Sequence, residues 1–210
     1  MTSNATQPEQ LSRIQRANRA KIREAALDVF SADGFRGATL DQIAGLANLS
    51  KSNLIYYYNS KEDIYLDLFA ELLEHWLEPL VTLGQEGDPI EEILFYVQVK
   101  LALSRDKPRE SRLFANEIIR GCPRISSFIK KDLKAVVEEV EEKFQRWMDT
   151  GKIAKTNPRH LLYSIWAVTQ HYADFESQIT LLEPKKNRTF PEAKIYVDQL
   201  FRGILTPQNT

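Results

Sequence analysis

A single cysteine, Cys122, stands in a chain of 210 residues. It has no intrachain partner for a disulfide, which fits a cytosolic protein better than a secreted one. No uninterrupted apolar run approaches the roughly 20 residues needed to cross a bilayer, so no membrane association is expected. The first residues, MTSNATQPEQLSR, lack the basic start and apolar core of a secretory signal. No segment shows the bounded β-branched alternation of a strand, and no internal repeat is present. His75, His160 and His171 have no metal-like spacing with carboxylates or with Cys122, so neither a metal nor a cofactor is expected. Paired carboxylates and nucleophile–base arrangements with interpretable spacing are missing too. The run Glu138, Glu139, Glu141 and Glu142 reads as a solvated helix face, and Asp106 and His171 cannot be paired from sequence. The chain is therefore not expected to be an enzyme.

Net charge is also nearly absent, at -1, which argues against a generic polyanion binder. Its distribution is uneven. Residues 1–60 carry seven Lys/Arg against five Asp/Glu, and the remainder twenty-one against twenty-four. Arg13, Arg16, Arg19, Lys21 and Arg23 cluster ahead of or within the first helical pattern, as a local phosphate-binding patch or as a solvated arm.

What is present is helical periodicity. Apolar residues mark a helix from Ile22 through Ala25, Ala26, Val29 and Phe30, ended by Asp33-Gly34. Thr39 with Gln42 forms a capping box ahead of Leu40, Ile43, Ala44 and Ala47. Asn48-Leu49-Ser50 makes a turn, with Ser50 capping a helix over 51–57. Ser60 with Asp63 opens a long helix through Ile64, Leu68, Leu72 and Trp76 to Pro79. A Gly/Asp/Pro break over 84–89 follows. Further helices are predicted over 90–105, 109–120, 125–150, 158–178 and 190–205, with punctuation at Lys107-Pro108, Gly121-Cys122-Pro123, Gly151 and the 183–188 loop. The fold class is all-α.

The stretch TLDQIAGLANLSKSNLIYYYNSK, Thr39 to Lys61, has the build of a helix-turn-helix. Its helices are short, Ala44 and Ala47 allow close crossing, and Leu49 drops into the core. Leu54 points inward, which leaves Lys51, Ser52, Asn53, Tyr56 and Tyr57 for a DNA major groove. Asn reads adenine, and Lys, Ser and Tyr reach phosphates or base edges. Thr39 sits at a helix N-terminus, where free backbone donors favour a phosphate; Lys61 joins the same set. Of the three consecutive tyrosines, Tyr58 is expected in the core.

Downstream, Trp166, Gln170 and Asp174, with Tyr163 one turn earlier, share one helical stripe. A ring beside an amide that offers a donor and an acceptor side by side suits a flat, hydrogen-bonding ligand. The same pattern is also that of a core Trp with a satisfied rim amide, and His171 and Tyr172 fit a dimer interface equally. The segment SRLFANEIIRGCP adds Phe114, Asn116 and Ile119.

AALDVFSADGFRGATLDQIAGLANLSKSNLIYYYNSKEDIY, within residues 22–69, resembles the DNA-binding domain of the TetR family of regulators without a gap. The resemblance implies a tetracycline-repressor-like fold: an N-terminal three-helix domain with a helix-turn-helix, followed by a C-terminal helical bundle for ligand binding and dimerisation. The corresponding divisions are a flexible arm over 1–17, a DNA-binding domain over 18–62 and an effector and dimerisation domain over 63–210. It also implies a homodimer on a partly palindromic, double-stranded operator, released by a small effector. The remaining chain is similar to family members that control pyrimidine degradation, through Trp76-Leu77-Glu78-Pro79-Leu80, Val99-Lys100-Leu101, Ser104-Arg105-Asp106, Arg112-Leu113-Phe114 and the Trp166 to Phe175 segment. That similarity implies uracil or thymine as effector. It places Trp76 and Trp166 against the base and Gln170 at its edge, with Phe69, Lys100, Asn116, Ile119 and Asp174 as further lining. Alternatives are a different effector (a drug-like apolar compound, a fatty acyl derivative or another nitrogen heterocycle) or a DNA-binding structural protein with no effector.

Overall fold

The computed structural model describes residues 13–84, 87–183 and 188–207. It separates into two compact units, Met1–Leu68 and Phe69–Thr210. Among the described residues there are helices and connecting turns but no strands, and no helix is long and apolar enough to cross a membrane.

The first unit holds α1 (Arg13–Gly37), α2 (Leu40–Leu46), α3 (Lys51–Tyr57) and the opening turns of α4 (Lys61–Val81). Its core is built from Ile22, Ala26, Phe30, Ile43, Leu54 and Ile64, each fully buried. The Tyr65 ring meets Phe30 and Phe35 edge-on, at 4.9 and 5.0 Å between centroids. The Thr39–Gln42 capping box forms as expected, with the Thr39 hydroxyl accepting from the Gln42 amide at 3.2 Å and the Gln42 side chain accepting from the Thr39 amide at 2.8 Å. Asn48 turns the chain between α2 and α3 in the left-handed region, at φ 55, a conformation Asn tolerates better than most side chains. One expectation needs correction. Helix α1 begins at Arg13, so residues 13–17 are helical rather than a flexible arm, while 1–12 lie outside the described residues. The expected end at Asp33-Gly34 is where Gly34, at φ 67 and ψ 173, breaks the helical geometry before a last turn to Gly37.

The second unit contains the remainder of α4, then α5 (Pro89–Asp106), α6 (Pro108–Ile119), the short α7 (Ser126–Phe128), a π-helical turn (Ile129–Leu133), α8 (Lys134–Asp149), α9 (Pro158–Asp174), α10 (Glu176–Leu182) and α11 (Thr189–Leu205). Helix α5 is the central element, packing on α9 and α11, while α6 packs on α9. Two helices start on the same device: a side-chain cap followed by proline at the first position, Asp88-Pro89 for α5 and Asn157-Pro158 for α9. The predicted helix over 158–178 is broken. Phe175 leaves helical geometry (φ -112, ψ 25) and stacks its ring on His171 at 4.8 Å, and α10 starts afresh beyond it.

Candidate functional site

Two places carry polar chemistry of the kind predicted, one in each unit. In the first, Ser50 caps α3 by accepting from the Asn53 amide at 3.1 Å. Leu54 faces the core, so Lys51, Ser52, Asn53 and Tyr56 are exposed together on the outer face of a two-turn helix. Thr39 is exposed at the start of α2. Lys51 pairs with Asp41 at 2.8 Å, with both side chains more than half exposed, an interaction weak enough in water to be exchanged for a phosphate. The Tyr56 hydroxyl accepts from Gln15 at 3.3 Å, and the Tyr57 hydroxyl accepts from Asn18 at 2.9 Å. Helix α1 thereby orients both rings, which meet edge-on at 5.1 Å.

Tyr58 is buried, as expected. Its hydroxyl donates to Asp67 at 2.5 Å and accepts from Arg19 at 3.3 Å, and Arg19 also lies over its ring. Burial, reinforced by the carboxylate partner, pushes the phenol up to about 12. This network corrects the reading of the N-terminal cations as one patch. Arg19 and Arg23 are both bound to Asp67, at 3.5 and 3.4 Å, whereas Arg13, Arg16 and Lys21 are exposed. Lys61 also departs from its expected place at the groove. Its ammonium donates to the Ala38 carbonyl at 2.6 Å and lies 4.6 Å from the Phe35 ring centre, bracing the turn before α2.

The second unit encloses a cavity of about 280 Å³. Trp76 on α4, Lys100 on α5 and Trp166 and Gln170 on α9, four of the residues the family resemblance implied as effector-binding, line it together. Phe114 and Ile118 on α6 close another side. Three polar groups in this largely apolar wall have hydrogen-bonding capacity to offer. The Tyr96 hydroxyl accepts from Trp166 Nε1 at 2.8 Å, and among the described residues it donates to nothing. The Gln170 amide and the Lys100 ammonium make no hydrogen bond among the described residues. Lys100 is buried with its Nζ 4.5 Å from the Trp76 ring centre, and burial pulls its pKa down to about 8 against the opposing effect of Asp174. Burial likewise raises the Tyr96 phenol. Among the described residues no cluster of three His, Cys, Asp or Glu side chains gathers as a metal site.

The other predicted lining residues lie elsewhere. Asn116 is exposed and Ile119 is 83% exposed, because the buried face of α6 is Ser111, Leu113 and Glu117, while the half-buried Phe114 and the partly exposed Ile118 reach the cavity. Phe69 is buried behind Phe114, with ring centres 6.5 Å apart. Asp174 continues the Trp166–Gln170 stripe past the cavity's end, where it accepts from the Ser111 hydroxyl at 2.6 Å and its carboxyl is raised by burial. Sequence reasoning missed Tyr96, one turn before Lys100, and Ile129 and Leu133 in the π-helical turn. The Tyr96–Lys100 spacing was a usable signal; the π-helical turn gave none.

An outward-facing second helix of a helix-turn-helix and a bundle enclosing a small polar-edged cavity define a ligand-responsive DNA-binding regulator. Comparison with known proteins agrees. Residues 22–68 match the model for bacterial regulatory proteins of the tetR family, and residues 69–207 match that for the C-terminal region of YcdC-like proteins. The chain belongs to the TetR family of transcriptional regulators and is not an enzyme. It is 44% identical over 168 residues to the HTH-type transcriptional regulator RutR of Escherichia coli K12, covering 80% of this chain and 79% of that one. It is 25% identical over 170 residues to the biofilm operon regulator IcaR of Staphylococcus epidermidis, over 80% and 90% of the two chains. The fold is shared with AibR in complex with isovaleryl coenzyme A and operator DNA, at TM-score 0.73 and 18% identity over 91% of this chain and all of that one. It is shared too with the ketosteroid transcriptional regulator KstR2 of Mycobacterium tuberculosis, at TM-score 0.74 and 16% identity over 90% and 95%.

Proposed function

We propose that this protein is a cytoplasmic, homodimeric repressor of pyrimidine catabolism or related nitrogen metabolism, released from its operator by uracil or thymine. The observation that carries the effector is the pairing of volume and chemistry in the second unit. A cavity of about 280 Å³ lies at or below the low end of what drug-sized ligands occupy, so it favours a small ring over a coenzyme or an acyl chain. Two tryptophans supply flat faces. Tyr96, Lys100 and Gln170 supply donors and one acceptor to a ring that alternates carbonyl and N–H groups. Identity of 44% to RutR over four fifths of both chains supports the same assignment.

On the DNA side, Lys51, Ser52, Asn53, Tyr56 and Tyr57 meet the major groove, with Thr39 on a phosphate. A reader of two turns has a small contact area, so a two-fold dimer on a partly palindromic site supplies the remaining affinity. Helix α4 couples the two events. Its first part carries Asp67, which holds Tyr58 in the DNA-binding unit, and Trp76 and Leu80 on the same helix line the cavity. An effector that binds one position of α4 better than another shifts the population of both.

The test has two parts. A thermal-shift panel holds uracil, thymine, cytosine, a barbiturate and an acyl compound. Operator fragments, selected by the protein from a random duplex pool, are then titrated with and without the ligand that shifts. Stabilisation by uracil or thymine, with loss of operator binding, is expected. A shift with the acyl compound alone would transfer the assignment to an apolar effector, which the mainly hydrophobic lining would also accommodate.

A further inference from the structure

Among the described residues that line the cavity, Lys100 carries the one formal charge. A buried ammonium with no acceptor is expensive, and two features of its surroundings ease it without satisfying it. The Trp76 face at 4.5 Å offers a cation–π contact. Asp174 acts on it through space but forms no ion pair with it. Its carboxylate takes the Ser111 hydroxyl at 2.6 Å and is shared electrostatically with Arg112 and His171. Phe114 of α6 and Gln170 of α9 line the cavity with it, and Ser111 of α6 meets Asp174 of α9. Asp174 is the one charged residue that acts on Lys100. The remaining polar groups of the wall can also donate. The Tyr96 phenol has its acceptor side filled by Trp166 Nε1 and keeps its proton to give, and the Gln170 amide presents two N–H donors beside its carbonyl acceptor.

We propose that Lys100 makes the cavity select acidic ring imides and bind them as their anions, with a negative oxygen against its ammonium. This deepens the pyrimidine reading of the same site and rests on it. A neutral imide presents acceptor, donor and acceptor in a row. Once its ring N–H is lost it presents three acceptors, which matches an ammonium, a phenol proton and an amide N–H. In the binding step the N–H bond of the ligand breaks, its proton leaves to solvent, and Lys100 remains protonated throughout. The charge spreads over the ring nitrogen and the two flanking carbonyl oxygens. The ligand class is thus a planar cyclic imide ranked by acidity, and Lys100 is the residue that sets the ranking.

Isothermal titration of the full-length protein with thymine, uracil, 5-fluorouracil and 6-azauracil, in order of rising N–H acidity, tests this. Titrations at one pH use two buffers of different ionisation heat. Affinity is expected to climb along the series, approaching about tenfold per unit of ligand pKa while the free ligand is mainly neutral. Uracil should release close to one proton on binding. In Lys100→Met the ranking collapses and the proton release disappears while the far-UV circular dichroism is unchanged; Lys100→Gln provides a second variant should Lys100→Met misfold. Equal affinities across the series, uracil binding without proton release, or a ranking that survives in both variants would overturn the inference and leave the pyrimidine reading standing. Failure of all four pyrimidines to bind would remove both.

Discussion

Lys100 is a charged residue held at a cost to the fold. Its charged form is disfavoured by burial, so the folded chain binds fewer protons than the unfolded one between about 8 and the ordinary lysine value of 10.5. Stability from this group therefore rises as pH climbs through that window. Tyr58 acts with the opposite sign above it. Its phenol is held protonated up to about 12, so its contribution is intact below 10 and is lost as pH rises from 10 to 12. Replacing Lys100 with Met keeps the stem and removes the charge. Thermal melts from pH 7 to 10 should show the variant more stable at pH 7, by on the order of 1–3 kcal/mol, with the alkaline rise flattened. A variant less stable than the parent at pH 7 would mean that the ammonium already has full compensation. A surface lysine would show neither effect.

At the scale of elements, capping and turn chemistry made the DNA-binding unit legible. Thr39, Gln42 and Ser50 announced their helices because side-chain caps are written within three residues of the backbone they serve. The Trp166–Gln170 pair was legible for the same reason, since one turn of one helix needs no tertiary information. Asn116 and Ile119 were misplaced because the inward face of α6 is decided by what packs against it, and Ser111, Leu113 and Glu117 took that face. The destination of Arg19 and Arg23 could not be read from charge clustering either. It depends on Asp67, more than 40 residues away in the chain. The turn between α2 and α3 gives a direct test. Asn48 holds φ at 55, so Asn48→Gly should leave stability within a few tenths of a kcal/mol, whereas Asn48→Val should cost about 1–2 kcal/mol in urea denaturation. A Val variant as stable as Gly would show that the turn relaxes to another conformation.

For the whole molecule, the charge balance sets the expected behaviour on DNA. A chain of net charge -1, with Arg13, Arg16, Lys21 and Lys51 exposed in its first unit, should bind random duplex weakly and its operator strongly. Operator affinity should fall steeply with salt. If Lys51 exchanges Asp41 for a phosphate, Lys51→Ala should lower that slope by about 1 per reader, because a phosphate contact acts on every sequence alike. Asn53→Ala should instead relax base preference at one position of each half-site, by about 1–3 kcal/mol. Sedimentation of the protein–operator complex at two chains per duplex accompanies both results, and a single bound chain would contradict the dimer.

The placement of the indoles has a practical consequence for watching the switch. The chain has three tryptophans, and Trp76 and Trp166 both line the cavity, one beneath an ammonium and the other hydrogen-bonded to a phenol. Trp147 lies apart from it, stacked on Phe144. Native emission from two indoles in unlike electrostatic surroundings makes the protein its own optical probe. On the proposed effector reading, occupancy of the cavity should be visible in real time without a dye, and Trp147→Phe would leave a spectrum that reports on the cavity alone.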